Sequence, residues 1–215
     1  MIDLHMHSTF SDGELIPSEI ISRALFAGYT HLAITDHVDP SNLEHVLEGI
    51  VHVCAELRGK VGLKVYPGVE ITHVPPRMIA PLVALSRRKG AKVVIVHGET
   101  IVEPVPKGTN IAAIKAGADI LAHPGLITGK EVSLARKNGV YLEITARKGH
   151  SLANGHVARM AGKHGAGMVY NTDSHSPGDF TPWESALRII RGAGLAEADA
   201  RRMQKNSLML LNRNG

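Results

Sequence analysis

The feature that most constrains this chain is a repeated pattern: a short apolar run that ends abruptly in a histidine or a carboxylate. Residues 3–13 read DLHMHSTFSDG; HLAITDH ends at His37, VYPGVE at Glu70, KVVIVH at His97 and DILAH at His123, and GMVYNTDSH supplies Asp173 and His175. Side chains at i and i+2 of a strand share a face, so His5 and His7 can reach one metal ion from a strand end. A single His-x-His pair is weak evidence. Its recurrence as one grammar through the chain predicts a cluster of metal ions.

Between these runs the periodicity changes to that of helices, so strand and helix alternate. Residues 2–4, 31–35, 63–69, 93–96, 120–122, 140–144 and 168–171 read as strands. Pro17 opens a helix that stops at Gly28, and the stripe Leu43, Val46, Leu47, Ile50, Val51, Cys54, Leu57 marks another that Gly59 closes. Pro75-Pro76 opens a third, in which Pro81 marks a bend or the true first turn. Helices are expected at 109–116 and 130–138. Thr181-Pro182-Trp183-Glu184 reads as a capping box for a helix to Gly192, and a last helix covers 197–211. Seven strands alternating with helices imply a parallel sheet with right-handed crossovers, most simply closed as a barrel, with an open doubly wound sheet as the alternative. In a barrel the ligand-bearing strand ends meet on one rim.

Composition bounds the reading. The chain has 215 residues and is 44% hydrophobic, enough for one sizeable core, and no linker divides it, so residues 1–215 are expected to form a single α/β domain. No apolar run approaches the roughly 18 residues of a membrane span, and the single cysteine, Cys54, falls in a helical stripe, so a reducing cytoplasm is expected and a membrane is not. A formal charge of +4 is mild and its basic residues are scattered, so a nucleic-acid surface is not expected. The 13 histidines are the compositional excess.

The series DLHMHSTFSDG, AITDH, PGVEI, VVIVHGE, LAHPG and NTDSH resembles the motifs of the PHP family, named for polymerase and histidinol phosphatase. The resemblance spans residues 3–175. It implies a distorted (βα)7 barrel of the TIM type that holds two to three divalent ions, zinc, manganese or iron, and hydrolyses phosphate esters. Carried over position by position, His5, His7, Glu70 and Asp173 would hold one ion; Glu70 would bridge to a second, completed by His97 and His123; Asp12, His37 and His175 would hold a third. Asp12 stands where histidinol phosphatases often carry histidine.

The chemistry agrees with the resemblance. A site of imidazoles and carboxylates without thiolate has a catalytic character, and two ions about 3.5–4 Å apart can share a bridging hydroxide for in-line attack on phosphorus. Glu70, Asp173 and His150 are the candidate catalytic residues, His150 as proton donor to the leaving oxygen. Arg147 and Lys107 are candidate phosphate contacts, Lys107 from the Gly- and Pro-rich segment 98–110, which is expected to fold over the site. Asp36 and Glu143 are candidates for orienting ligands, and His73 for lining the pocket, whereas His31, His45, His52, His156 and His164 are expected to have no chemical role. The leading expectation is a phosphatase for a small, histidinol-phosphate-like phosphomonoester. Alternatives are a nuclease acting on single-stranded nucleic acid or nucleotides, and a non-catalytic scaffold or binding module.

Overall fold

The computed structural model describes residues 1–213. Eight parallel strands alternate with eight α-helices: β1 (Ile2–Asp3), α1 (Pro17–Phe26), β2 (His31–Ile34), β3 (His37–Val38), α2 (Leu43–Leu57), β4 (Lys64–Ile71), α3 (Pro76–Arg88), β5 (Val93–His97), α4 (Thr109–Ala116), β6 (Ile120–Ala122), α5 (Gly129–Asn138), β7 (Tyr141–Thr145), α6 (Asn154–His164), β8 (Met168–Asn171), α7 (Trp183–Gly192) and α8 (Glu197–Arg213). The sheet runs β1-β2-β4-β5-β6-β7-β8, with β3 beside β4. The eighth strand arises because the expected second strand is interrupted at Thr35-Asp36: β2 pairs β4 up to Pro67, and β3 resumes at Glu70. The seven-strand barrel therefore stands, with one strand broken.

Closure between β1 and β8 is made mainly by side chains. Leu4 N donates to Asn171 Oδ1 at 2.9 Å and Thr172 N to Asp3 Oδ2 at 3.0 Å. One backbone bridge, Met6 to Ser174, completes the seam above them. Below, Gln204 of α8 accepts from Ile2 N and donates to Ile2 O, so a helix satisfies the strand edge that no neighbour pairs.

The strands alternate strictly. Ala33, Val93, Ile95, Ile120, Ala122, Tyr141 and Val169 form the barrel interior with Leu210 and Leu211 of α8, while Val94, Val96, Leu121, Leu142, Ile144 and Tyr170 join the outer core under the helices. Gly68 belongs to the crowded interior, where an added Cβ would lie 2.6 Å from Thr35 Cγ2 and 2.7 Å from Val93 O. The same phase carries His37, Glu70, His97 and Glu143 inward at the C-terminal ends.

One local expectation is corrected, and one left open is decided. Thr181 does not cap α7: its hydroxyl donates to Asp179 O, and Pro182 occupies the N-cap without a side-chain bond. The capping boxes are formed by Thr128 with Glu131 and by Ser176 with Asp179. Pro81 lies inside α3 rather than in its first turn.

Candidate metal centre

All nine expected ligands stand on the C-terminal rim, and their donor atoms fall into groups. His5 Nε2 lies 3.2 Å from Glu70 Oε2, and His7 Nε2 lies 3.5 Å from that oxygen and 3.2 Å from Asp173 Oδ1. His123 Nε2 lies 3.6 Å from Glu70 Oε1 and 3.5 Å from Asp173 Oδ2. The two oxygens of Glu70 thus face different histidines. A third group gathers Asp12, His37, His175 and His7, with Asp12 Oδ1 at 3.3 Å from His175 Nε2 and 3.6 Å from His37 Nε2. Ligands about 2.0–2.1 Å from a tetrahedral ion stand about 3.3 Å apart, so these separations suit shared cations.

The buried polar atoms make the same case. His5 Nε2, both ring nitrogens of His7, both carboxylate oxygens of Glu70, His123 Nδ1 and Asp173 Oδ1 have no hydrogen-bond partner among the described residues. Orphaned buried groups are costly, and an imidazole nitrogen facing a carboxylate needs a metal cation or a second ring proton between them. The donor set therefore fits divalent ions. Burial pushes the Asp173 carboxyl up to about 6. Glu70 is held well below the carboxylate range, because His5 and His37 outweigh the burial that opposes its charge.

Outer partners fix several rings. Glu143 Oε1 holds His5 Nδ1 at 2.8 Å, Thr72 Oγ1 holds His37 Nδ1 at 2.6 Å, Gly98 O accepts from His97 Nδ1 at 3.1 Å, and Asp173 O from His175 Nδ1 at 3.0 Å. Each leaves Nε2 free to face the centre. Glu143 is thus an orienting carboxylate, itself held by Asn171 and accepting from His123 N. Asp36 bonds no imidazole; it accepts from Ser8 N, Ser8 Oγ and Ser11 Oγ at 2.7–2.8 Å and pins the loop that carries Asp12.

His123 is out of phase with the interior positions Ile120 and Ala122, and its φ of 25° turns it inward. Among the described residues, the non-glycine residues with positive φ are His73, His123 and Asp173. Such strain concentrates at functional sites.

A cavity of ≈ 270 Å³ opens over the cluster, lined by Asp12, His37, His97, His123, Asp173 and His175 together with Thr72, His73, Glu103, Arg147 and His150. Arg147 reaches it with Nη1 at 3.5 Å from Asp179 Oδ2, and His150 is held through Nδ1 by Thr100 Oγ1 at 2.7 Å. Burial lowers the pKa of the His150 imidazole, with Glu103 opposing. Lys107 is exposed and lines no part of the cavity. Sequence reasoning missed Glu103, whose carboxylate stands among His73, His97 and His150. The segment containing it was expected over the site, but nothing in its sequence distinguishes Glu103 from Glu99, whose carboxylate instead binds Gly108 N and Asn110 N.

The PHP domain model matches residues 3–100. An uncharacterized protein of Methanocaldococcus jannaschii, MJ1295, is 42% identical over 199 residues, covering 92% of this chain and 91% of that protein. This chain belongs to the PHP family. The DNA polymerase/3'-5' exonuclease PolX of Bacillus subtilis is 27% identical over 198 residues, 81% of this chain but 34% of its own, so the PHP chain spans about a third of that relative. Among solved structures, an archaeal ribonuclease P bound to mature tRNA contains a chain that matches with a TM-score of 0.73 at 18% identity, covering 100% of this chain and 91% of that one. The histidinol phosphate phosphatase of Lactococcus lactis, solved with zinc, L-histidinol and phosphate, matches with a TM-score of 0.61 at 18% identity over 90% and 94% of the two chains. At such identities the likeness is one of fold. No described helix is long and apolar enough to cross a membrane.

Proposed function

We propose that this PHP protein is a metal-dependent phosphatase acting on a small phosphomonoester of the histidinol-phosphate kind. The observation that carries the proposal is the carboxylate of Glu70, fully buried, with Oε2 facing His5, His7 and His37 and Oε1 facing His123, beneath a cavity of only ≈ 270 Å³. His5, His7, Glu70 and Asp173 would hold one ion, Glu70, His97 and His123 a second, and Asp12, His37 and His175 a third. Bound divalent ions would supply charge to the phosphate oxygens and an activated water for in-line attack.

The residues of the chain do the rest. Arg147, at the cavity wall, can present two N–H groups to phosphate oxygens, and Asp179 holds the guanidinium in place for that task. His150 Nε2 faces the cavity, where it can hold a proton for the leaving oxygen. Asp173 and Glu70 carry the negative charge that retains the cations. Lys107 takes no part.

A second reading is a nuclease. It is favoured by a neighbouring depression of ≈ 470 Å³, lined by Glu14, Lys148, Ser176 and Asp179 and sharing Asp12, Arg147 and His175 with the main cavity, which gives a longer substrate somewhere to lie. The similarity to PolX points the same way. The protein loaded with zinc or manganese should be offered a panel of phosphomonoesters, histidinol phosphate included, beside 5'-labelled single-stranded RNA and DNA. Phosphate release from a monoester with the oligonucleotides left intact is the expected result; shortening of the oligonucleotides alone replaces the phosphatase reading with the nuclease one.

A further inference from the structure

Glu103, His73 and His150, none of them among the nine expected ligands, stand together at the cavity mouth beside His97. Glu103 Oε2 lies 3.0 Å from His97 Nε2 and 3.2 Å from His73 Nε2, and Glu103 Oε1 lies 3.4 Å from His150 Nε2. His73, His97 and Glu103 offer one donor atom each within 4.8 Å of one another. The tautomer of His97 matters here. Its Nδ1 faces Gly98 O at 3.1 Å, and a carbonyl can only accept, so Nδ1 carries the hydrogen and Nε2 presents a lone pair to the Glu103 carboxylate. A lone pair 3.0 Å from a carboxylate oxygen requires a cation or a second ring proton between them.

His73 supplies an independent sign. It is one of the three non-glycine residues with positive φ among those described, at 52°, and the other two, His123 and Asp173, belong to the inner cluster. Strain of this kind persists where the surroundings fix a side chain for a task. An exposed imidazole with no task gives no reason for it. The outer carboxylate rides on the segment between β5 and α4 and lines the cavity.

We propose that His73, His97 and Glu103 form an outer divalent-cation site at the cavity mouth, sharing the His97 Nε2 with the inner centre. The proposal rests on the reading of the inner cluster as a metal centre. One Nε2 serves one ion at a time, so the outer and inner positions on His97 are alternatives, and an ion arriving from solvent meets the outer one first. The half-exposed His73 and Glu103 hold it less tightly than the buried donors beneath.

The test is Zn2+ binding by the full chain, stripped with a chelator and titrated back against a competing indicator, in the wild type and in Glu103→Gln and His73→Asn. Asparagine tolerates the left-handed backbone, so the second variant isolates the imidazole. Because His97 Nε2 is shared, the outer constant is read in the Glu70→Gln background, where the inner position is weakened: there one Zn2+ constant should weaken roughly 10–100-fold on adding either mouth substitution while the other constants stay unchanged. Glu70→Gln alone should weaken the inner constants and leave the outer one at least as strong. Constants unchanged by both mouth substitutions in that background would overturn the proposal and leave Glu103 as an ion-pair partner of protonated histidines. Failure of the wild type to bind any Zn2+ would overturn the inner metal centre as well, so the two failures are distinguishable.

Discussion

Glu70 is the residue on which the proposed centre turns, because its two oxygens face separate sets of imidazoles, Oε2 those of His5, His7 and His37 and Oε1 that of His123, at 2.9–3.6 Å. An amide keeps the shape but not the charge. Glu70→Gln should therefore keep the fold and lose phosphate release by about 100-fold or more, about 2.7 kcal/mol of transition-state stabilisation, measured as kcat/KM beside the metal content. Near-normal turnover with a full metal complement would remove the bridge. Arg147 makes a different prediction. Arg147→Ala should raise KM with metal content unchanged, and Arg147→Lys should recover only part, since an ammonium keeps the charge but not the planar fork. The inward positions of Glu70 and His97 were legible in the sequence because each keeps the period-two phase of its strand. His123 was legible as a candidate ligand, but its strained backbone was not, since its phase alone points it toward the helices. Glu103 was not legible, because a Pro-rich loop has no period from which its path can be read.

Elements position these residues by bonds that only tertiary structure reveals. The break between β2 and β3 frees Asp36 to bind Ser8 and Ser11, and this holds the Asp12 loop over His175. Asp36→Ala leaves the buried Ser8 N–H and hydroxyl without their partner, a cost of about 1–3 kcal/mol. Chemical denaturation should show that loss, and elemental analysis should show one fewer ion per chain with the other ions retained. A variant that keeps every ion would mean the Asp12 loop holds itself. The strand order and most helices followed from periodicity and from Gly and Pro punctuation. Helix α6 did not, because NGHVARMAGKH offers only Val157, Ala158 and Ala161 as its buried apolar face, a stripe too small to stand out. The Thr181 capping box failed because its hydroxyl is taken by Asp179 O.

At the scale of the molecule, the barrel concentrates negative and imidazole groups at one end and closes the other with α8. The seam between β1 and β8 is stitched by Asp3 and Asn171 rather than by a full ladder, and those bonds sit directly below the centre. Ion binding should therefore stabilise the whole fold. Each ion at 100 times its Kd adds roughly 2.7 kcal/mol, and a domain of this size gains about 2–4 °C per kcal/mol. Chelation should lower Tm by at least about 5 °C, reversed by returning zinc or manganese; an unchanged Tm would mean that the cluster is not occupied in the folded protein.

The most direct test of the phosphatase account is phosphate release from a panel of small phosphomonoesters by one preparation, measured before chelation, after chelation, and after titration with a single divalent metal. The account predicts release from at least one monoester, its loss in the stripped protein, and its return as two to three ions bind per chain. Full occupancy by two to three ions with no phosphate released from any monoester would contradict it.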